Sequence, residues 1–246
     1  MENQDKIMYV FFGKVFPERA DVNISELILN VLSPEAGLHG DLTVSVTSSQ
    51  IKAIFTTERE IPDPLTIRNY VEESVRLLID ILGYINGCGY DLEIATMINT
   101  RTNESIVFGV DSVLFNMRED RPLNFGEIIS LFDSEKADYI RRCLSDLREA
   151  VRVPKDTGFF CYRALETLRK FFIKENELKS DKESWEFLRS ELEVDRSTTD
   201  FVKQFADPVR HGETKYITGY ERDQILKNTW EIVDKFLVYA KNGYKK

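Results

Sequence analysis

From residue 137 to residue 240 the apolar side chains recur at helical spacing, stripe after stripe, and such stripes can be buried only against one another. A helix beginning near Asp133–Ser134 sets Ala137, Ile140, Leu144, Leu147 and Val151 on one face and stops before Pro154. A second, from about Gly158, aligns Cys161, Leu165, Leu168 and Phe172. Ser180–Asp–Lys–Glu183 has the spacing of a capping box, with Trp185, Leu188 and Leu192 behind it. Ser197 to Asp200 opens a helix that buries Phe201 and Phe205 before Pro208. A last one, from about Tyr220 to Ala240, carries Ile225, Leu226, Ile232, Val233, Phe236 and Leu237. The spacing predicts an all-α helical bundle over residues 133–246.

Upstream the period is two. Ile7–Phe16 is β-branched and aromatic and closes on Pro17, Val22–Leu32 is a second apolar run, and Leu42–Val46 with Ile51–Thr57 forms a hairpin about Ser48–Ser49. Pro34 to Gly40 reads as a loop carrying His39. One helix interrupts the strands: after Pro62–Asp–Pro64, the positions Ile67, Val71, Val75, Leu78, Leu82 and Ile85 recur, and Asn86–Gly–Cys–Gly89 stops it. Tyr90–Ile98 and Ser105–Val110 then pair around Asn99–Glu104. The expected fold class is α+β. A mostly antiparallel sheet with one long helix occupies residues 1–115, a polar connector holding Pro122 spans 116–132, and the bundle follows.

Composition narrows the function classes. A chain of 246 residues is long enough for two domains with substantial cores. Met1–Lys6 is polar, without the apolar run of a secretion signal, and the apolar stretch Val75–Ile85 is broken by Arg76 and Asp80 and too short for a bilayer. A cytoplasmic protein with no membrane partner is expected. Cys88, Cys143 and Cys161 form no Cys-x-x-Cys pair and there are only two histidines, so buried thiols are expected, with no metal and no other cofactor. Residues 1–124 carry 19 acidic and 10 basic side chains, a balance that excludes non-specific nucleic-acid binding by that half; residues 125–246 carry 23 of each. Lys136 to Lys174, with 10 basic against 5 acidic residues, reads as a salt-bridge-laced helical face or as a phosphate-facing patch.

Chemistry concentrates in Phe201–Gly212. In one reading His211 acts as acid or base, a task that suits the histidine side chain in general, and Arg210 binds phosphate, while Asp207, Lys203 and, from an earlier helix, Arg163 add binding contacts. In the other, Asp207 caps and Pro208 begins a short turn that His211–Gly212 ends. Arg163 and Glu166, three residues apart, are expected to pair on the surface.

A helical bundle with Phe160–Cys–Tyr–Arg–Ala–Leu–Glu–Thr–Leu–Arg–Lys–Phe–Phe172 on an early helix and a His–Gly pair closing a later one resembles the HEPN superfamily (higher eukaryotes and prokaryotes nucleotide-binding). The resemblance covers about the last half of the chain. It implies metal-independent ribonuclease chemistry, a homodimer in which two motifs face one cleft, and a setting in toxin, abortive-infection and other defence systems. The family's motif is an arginine, four to six residues, then a histidine, often with asparagine after the arginine. Set on His211, it puts the arginine at Ala206 and the polar residue at Asp207, while Lys203 stands one residue out of range. The expectation is therefore a homodimeric HEPN-like module that binds RNA, a nucleotide or a protein partner with little catalysis. A metal-independent ribonuclease using His211 and Arg210, and a purely structural assembly protein, are the alternatives.

Overall fold

The computed structural model describes residues 6–34, 36–109, 113–213 and 215–245, and the chain divides into two compact units, Met1–Asp111 and Ser112–Lys246. Parts of three expected features, the polar start at residues 1–5, the loop residue Glu35 and the strand end Val110, lie outside the described residues.

In the first unit six strands form one antiparallel sheet: β1 (Ile7–Phe16), β2 (Ile24–Ser33), β3 (Leu38–Thr47), β4 (Gln50–Thr57), β5 (Asp91–Asn99) and β6 (Glu104–Val107), in the order β2-β3-β4-β1-β5-β6. The alternation of β1 has a direct spatial meaning. Ile7, Tyr9, Phe11 and Val15 are buried, whereas Met8, Phe12 and Phe16 stand on the opposite, open face. On that open face Val10 stands between Ile54 of β4 and Ile98 of β5. The β3–β4 turn is two residues long, Ser48 and Ser49, both with positive φ, as a hairpin of right-handed twist requires. Ser49 is fully buried: its Oγ accepts from Val22 N at 3.0 Å, and its carbonyl accepts from Val15 N at 2.8 Å. A loop expected around His39 is instead the start of β3, because Val31 and Leu32 pair with Gly40 and His39.

One helix, α1 (Pro64–Asn86), covers the other face. Asp63 caps it by accepting from Leu65 N at 3.0 Å, and Gly87, in left-handed backbone, ends it. Its buried line is Ile67, Val71, Val75, Ile79 and Gly83; of the other expected positions Leu78 and Leu82 are half-buried against the same core, whereas Ile85 is 70% exposed. Contact runs along four-residue steps, a ridge inclined to the helix axis, so the inner positions drift round the helix as it crosses a twisted sheet. Cys88, expected to be buried, lies just past this stop and is exposed; Cys143 and Cys161 are buried.

The second unit is helical throughout: α2 (Val113–Asn116), α3 (Phe125–Ser130), α4 (Ala137–Arg152), α5 (Thr157–Asn176), α6 (Asp181–Leu192), α7 (Arg196–Arg210) and α8 (Gly219–Lys241). Residues 116–132, expected as a connector, fold as part of this unit because Leu123 and Leu131 reach its core. Cys143, Asp146 and Ala150 take inner positions on α4, while Val151 is exposed. At its centre the rings of Phe171, Phe172 and Phe236 meet edge to face, with centroids 5.2 to 6.0 Å apart. Burying each such ring stabilises the fold by about 1.5–3 kcal/mol, and edge-to-face contact adds to that. Ser180 accepts from Glu183 N as a capping residue should, but Glu183 reaches back to Lys179 N rather than to Ser180, so the expected box is half made. Thr218 and Glu221 make a complete one at the start of α8. No helix among the described residues is long and apolar enough to cross a membrane.

Candidate functional site

Residues Phe201 to Gly212 form the C-terminal half of α7 and its stop. Pro208 does not begin a new turn, and Asp207 is not a cap: α7 runs through both to Arg210. A proline inside a helix withdraws one N–H, here the donor that would meet the Gln204 carbonyl. Lys215 supplies the replacement, its Nζ donating to Gln204 O at 3.1 Å while standing 4.4 Å from the centre of the Phe205 ring. The helix then closes as a Schellman motif. Glu213 N donates to Pro208 O at 3.0 Å and Gly212 N to Val209 O at 3.1 Å, with Gly212 at φ +81. His211 is the capping residue, exposed, and its side chain has no partner among the described residues.

Gly158 fixes where this helix lies. A Cβ there would sit 2.6 Å from Phe205 Cβ and 3.0 Å from the Phe205 backbone, so only glycine lets α7 come this close to the start of α5. The approach sets two faces together. From α5 come Tyr162, Glu166 and Arg169, spaced four and three residues apart on one side; from α7 come Lys203, Asp207 and Arg210. Charges alternate along the seam. Asp181 lies 2.7 Å from Arg169, Arg169 3.9 Å from Glu166, Glu166 3.8 Å from Arg210, Arg210 3.7 Å from Asp207, and Asp207 3.8 Å from Lys203. Only the first contact is a hydrogen bond; the other four are too long.

Aromatic rings floor the seam. Arg210 lies 5.6 Å from the centre of Tyr162, which stacks on Trp185 at 5.6 Å, and Arg169 lies 5.2 Å from Trp185. Burial first, and then the Glu166 and Asp207 carboxylates, push the Tyr162 phenol up to about 12, so it stays a neutral donor. Arg163 does not join this cluster. It grips Asp146 of α4, with Nε to Oδ1 at 2.9 Å, and packs over Phe159 and Phe160. The expected Arg163–Glu166 pair is therefore absent, since a side chain three residues on turns to α7 while Arg163 turns to α4.

Of the residues singled out from the sequence, Lys203, Asp207, Arg210 and His211 stand on one helix end and Arg163 does not join them; Tyr162, Arg169, Trp185 and Lys215, which adjoin that end, were not among those expected. The spacing of Tyr162, Glu166 and Arg169 was the available signal, a polar stripe on an otherwise apolar helix. Much of the basic run from Lys136 to Lys174 is paired: Lys136 with Glu175, Arg141 with Asp138, and Arg148 and Arg152 with Glu149. A cavity of about 460 Å³ opens elsewhere on the bundle, between residues 117–122, the end of α6 and α8. Its lining includes Asp120, Glu191, Glu231 and Asp234, which repel a phosphate. Among the described residues no group of three or more His, Cys, Asp or Glu side chains is placed to hold a metal ion.

Comparison with known proteins agrees with the division into two units. Residues 9–108 match the N-terminal domain, and residues 125–241 the C-terminal domain, of a domain of unknown function, DUF8168. No curated protein and no solved structure matches the chain. With both domains matched in order over most of its length, the chain belongs to the DUF8168 family.

Proposed function

We propose that the C-terminal unit is a HEPN-like binding module, cytoplasmic and without strong catalysis, whose α5–α7 seam takes the phosphate backbone of single-stranded RNA. One observation carries the reading: among the described residues the donors of Arg210 and Lys203 make no hydrogen bond. Their nearest carboxylates stand at 3.7 to 3.8 Å, beyond hydrogen-bond reach, and their side chains are 41% and 49% exposed. A phosphate oxygen offers both cations the close acceptor that Glu166 and Asp207 do not. The α7 C-terminus is the negative end of the helix dipole, so side chains alone hold the anion and the affinity is modest.

The same geometry argues against the ribonuclease alternative. An acid or base in catalysis needs a partner to orient it; among the described residues exposed His211 has none, and adjacent Arg210 lies over Tyr162 on the α5 side. The setting in prokaryotic stress response or defence follows from the resemblance alone. The test is binding of labelled single-stranded RNA by the full chain. With two phosphates engaged, affinity should fall about sevenfold between 50 and 200 mM salt and be lost in Lys203→Ala/Arg210→Ala. Binding that ignores both changes overturns the proposal. Cleavage that survives chelator and disappears in His211→Ala replaces it with the ribonuclease, and no binding from a stable oligomer replaces it with the assembly protein.

A further inference from the structure

The two edges of the six-stranded sheet are unlike. β6 has four residues; β2 has ten, with no lysine, arginine or proline and a single charge, Glu26. An edge strand presents a row of unpaired N–H and C=O groups, and long edges are ordinarily blunted by lysine, proline or a bulge. β2 carries one irregularity, between Ile24 and Leu27, and from Leu27 to Ser33 its ladder to β3 is regular. Along that regular part Leu27, Ile28 and Leu32 are 42%, 70% and 66% exposed.

The segment is complementary to itself. When a second copy is laid antiparallel with Asn30 on the two-fold axis, Leu29 falls opposite Val31, Ile28 opposite Leu32, and Leu27 opposite Ser33, each twice. Around the axis apolar residues meet apolar residues on both faces, Leu29 with Val31 and Ile28 with Leu32, the two Asn30 amides meet each other, and Leu27 meets Ser33 only at the ends. Glu26 and the irregularity stay outside the paired stretch, and Pro34 ends it. Neighbouring registers match less well: centring on Val31 sets Asn30 against Leu32 and Leu29 against Ser33, centring on Leu29 sets Glu26 against Leu32, and centring on Ile28 draws the irregular residues into the ladder. We propose that β2 is a homodimerisation edge, where residues 27–33 of two copies of this chain pair about Asn30 and join their sheets into one. This edge belongs to the first unit, and the proposal is independent of the RNA-binding reading.

Sedimentation velocity of the full chain over a concentration series should show a monomer–dimer equilibrium. Ile28→Lys/Leu32→Lys, which sets like charges opposite one another at every Ile28–Leu32 contact, should raise the dissociation constant at least a hundredfold. Both positions are exposed, so circular dichroism and Tm should match the parent chain. Mixing that variant with Ile28→Glu/Leu32→Glu should restore a dimer, now a heterodimer, at least tenfold tighter than either variant alone. A parent chain monomeric at every concentration, a dimer that survives the lysine variant, or no recovery on mixing overturns the proposal.

Discussion

Both units string arginines and carboxylates along a helix, but they do so in opposite surroundings. In the first, Glu72 on α1 joins Arg68 and Arg76, Arg76 reaches Asp91 on β5, and the Glu72 side chain is 5% exposed. Arg76 donates to Asp91 at 2.9 Å, to Glu72 at 3.2 Å and to the Leu92 carbonyl at 3.3 Å; Arg68 meets Glu72 at 2.5 Å as an ion pair without hydrogen-bond geometry. Burial lowers the pKa of Arg68. In the second, the seam from Arg169 to Lys203 is made of contacts near 3.8 Å, open to water along α7. Residue type is shared; surroundings decide the role. Charges that have lost water must hold one another, and they brace a helix on a sheet, whereas charges that keep water remain free to exchange partners.

The largest test of that contrast is a pair of truncations followed by urea denaturation. Glu72→Ala leaves buried Arg68 without its carboxylate and takes one of three acceptors from Arg76, and should cost the first unit about 3–5 kcal/mol, while Glu166→Ala should cost the second under about 1 kcal/mol. Equal losses would erase the distinction. Next, Gly158→Ala drives a methyl group into Phe205 and should cost about 1–3 kcal/mol, read as a fall in Tm together with weaker RNA binding; an unchanged Tm would mean that α7 is not held by this approach. Smaller again, Lys215→Met leaves the Gln204 carbonyl to water and should cost about 0.5–1 kcal/mol. The smallest effect is one of pH. The hydrogen bond from Arg169, and then its charge, hold the Asp181 carboxyl below its ordinary range. Its contribution is complete above the unfolded carboxylate value and is lost as pH falls through the lowered one. Asp181→Asn should therefore flatten the acid side of a plot of Tm against pH, and a parallel shift at all pH values would count against the pair.

Fold class was legible where one local rule acted alone. β1 is bounded by its own alternation and Pro17, α1 closes at Gly87, and the stripes of α5 and α8 are apolar enough to show. Rules in competition hid the rest. Gly40 and His39 look like a loop, yet a ladder to β2 on one side and to β4 through Asp41 on the other makes them strand. Pro208 reads as a helix breaker, and no local pattern announces that a lysine seven residues later meets the carbonyl it frees. At the seam, sequence order supplied the α7 half, but pairing Arg163 with Glu166 overlooked the two other helices that flank α5.

That lysine gives the end of α7 an unusual fastening. Main-chain hydrogen bonds persist for as long as their helix does; the one at Gln204 also draws on the charge of a side-chain ammonium group. Acylating that amine keeps an N–H but removes the charge, and with it the attraction to the Phe205 ring, while the main-chain bonds that close the helix stay. Chemistry at a single nitrogen atom thus loosens the brace on a freed carbonyl without unwinding the helix it braces.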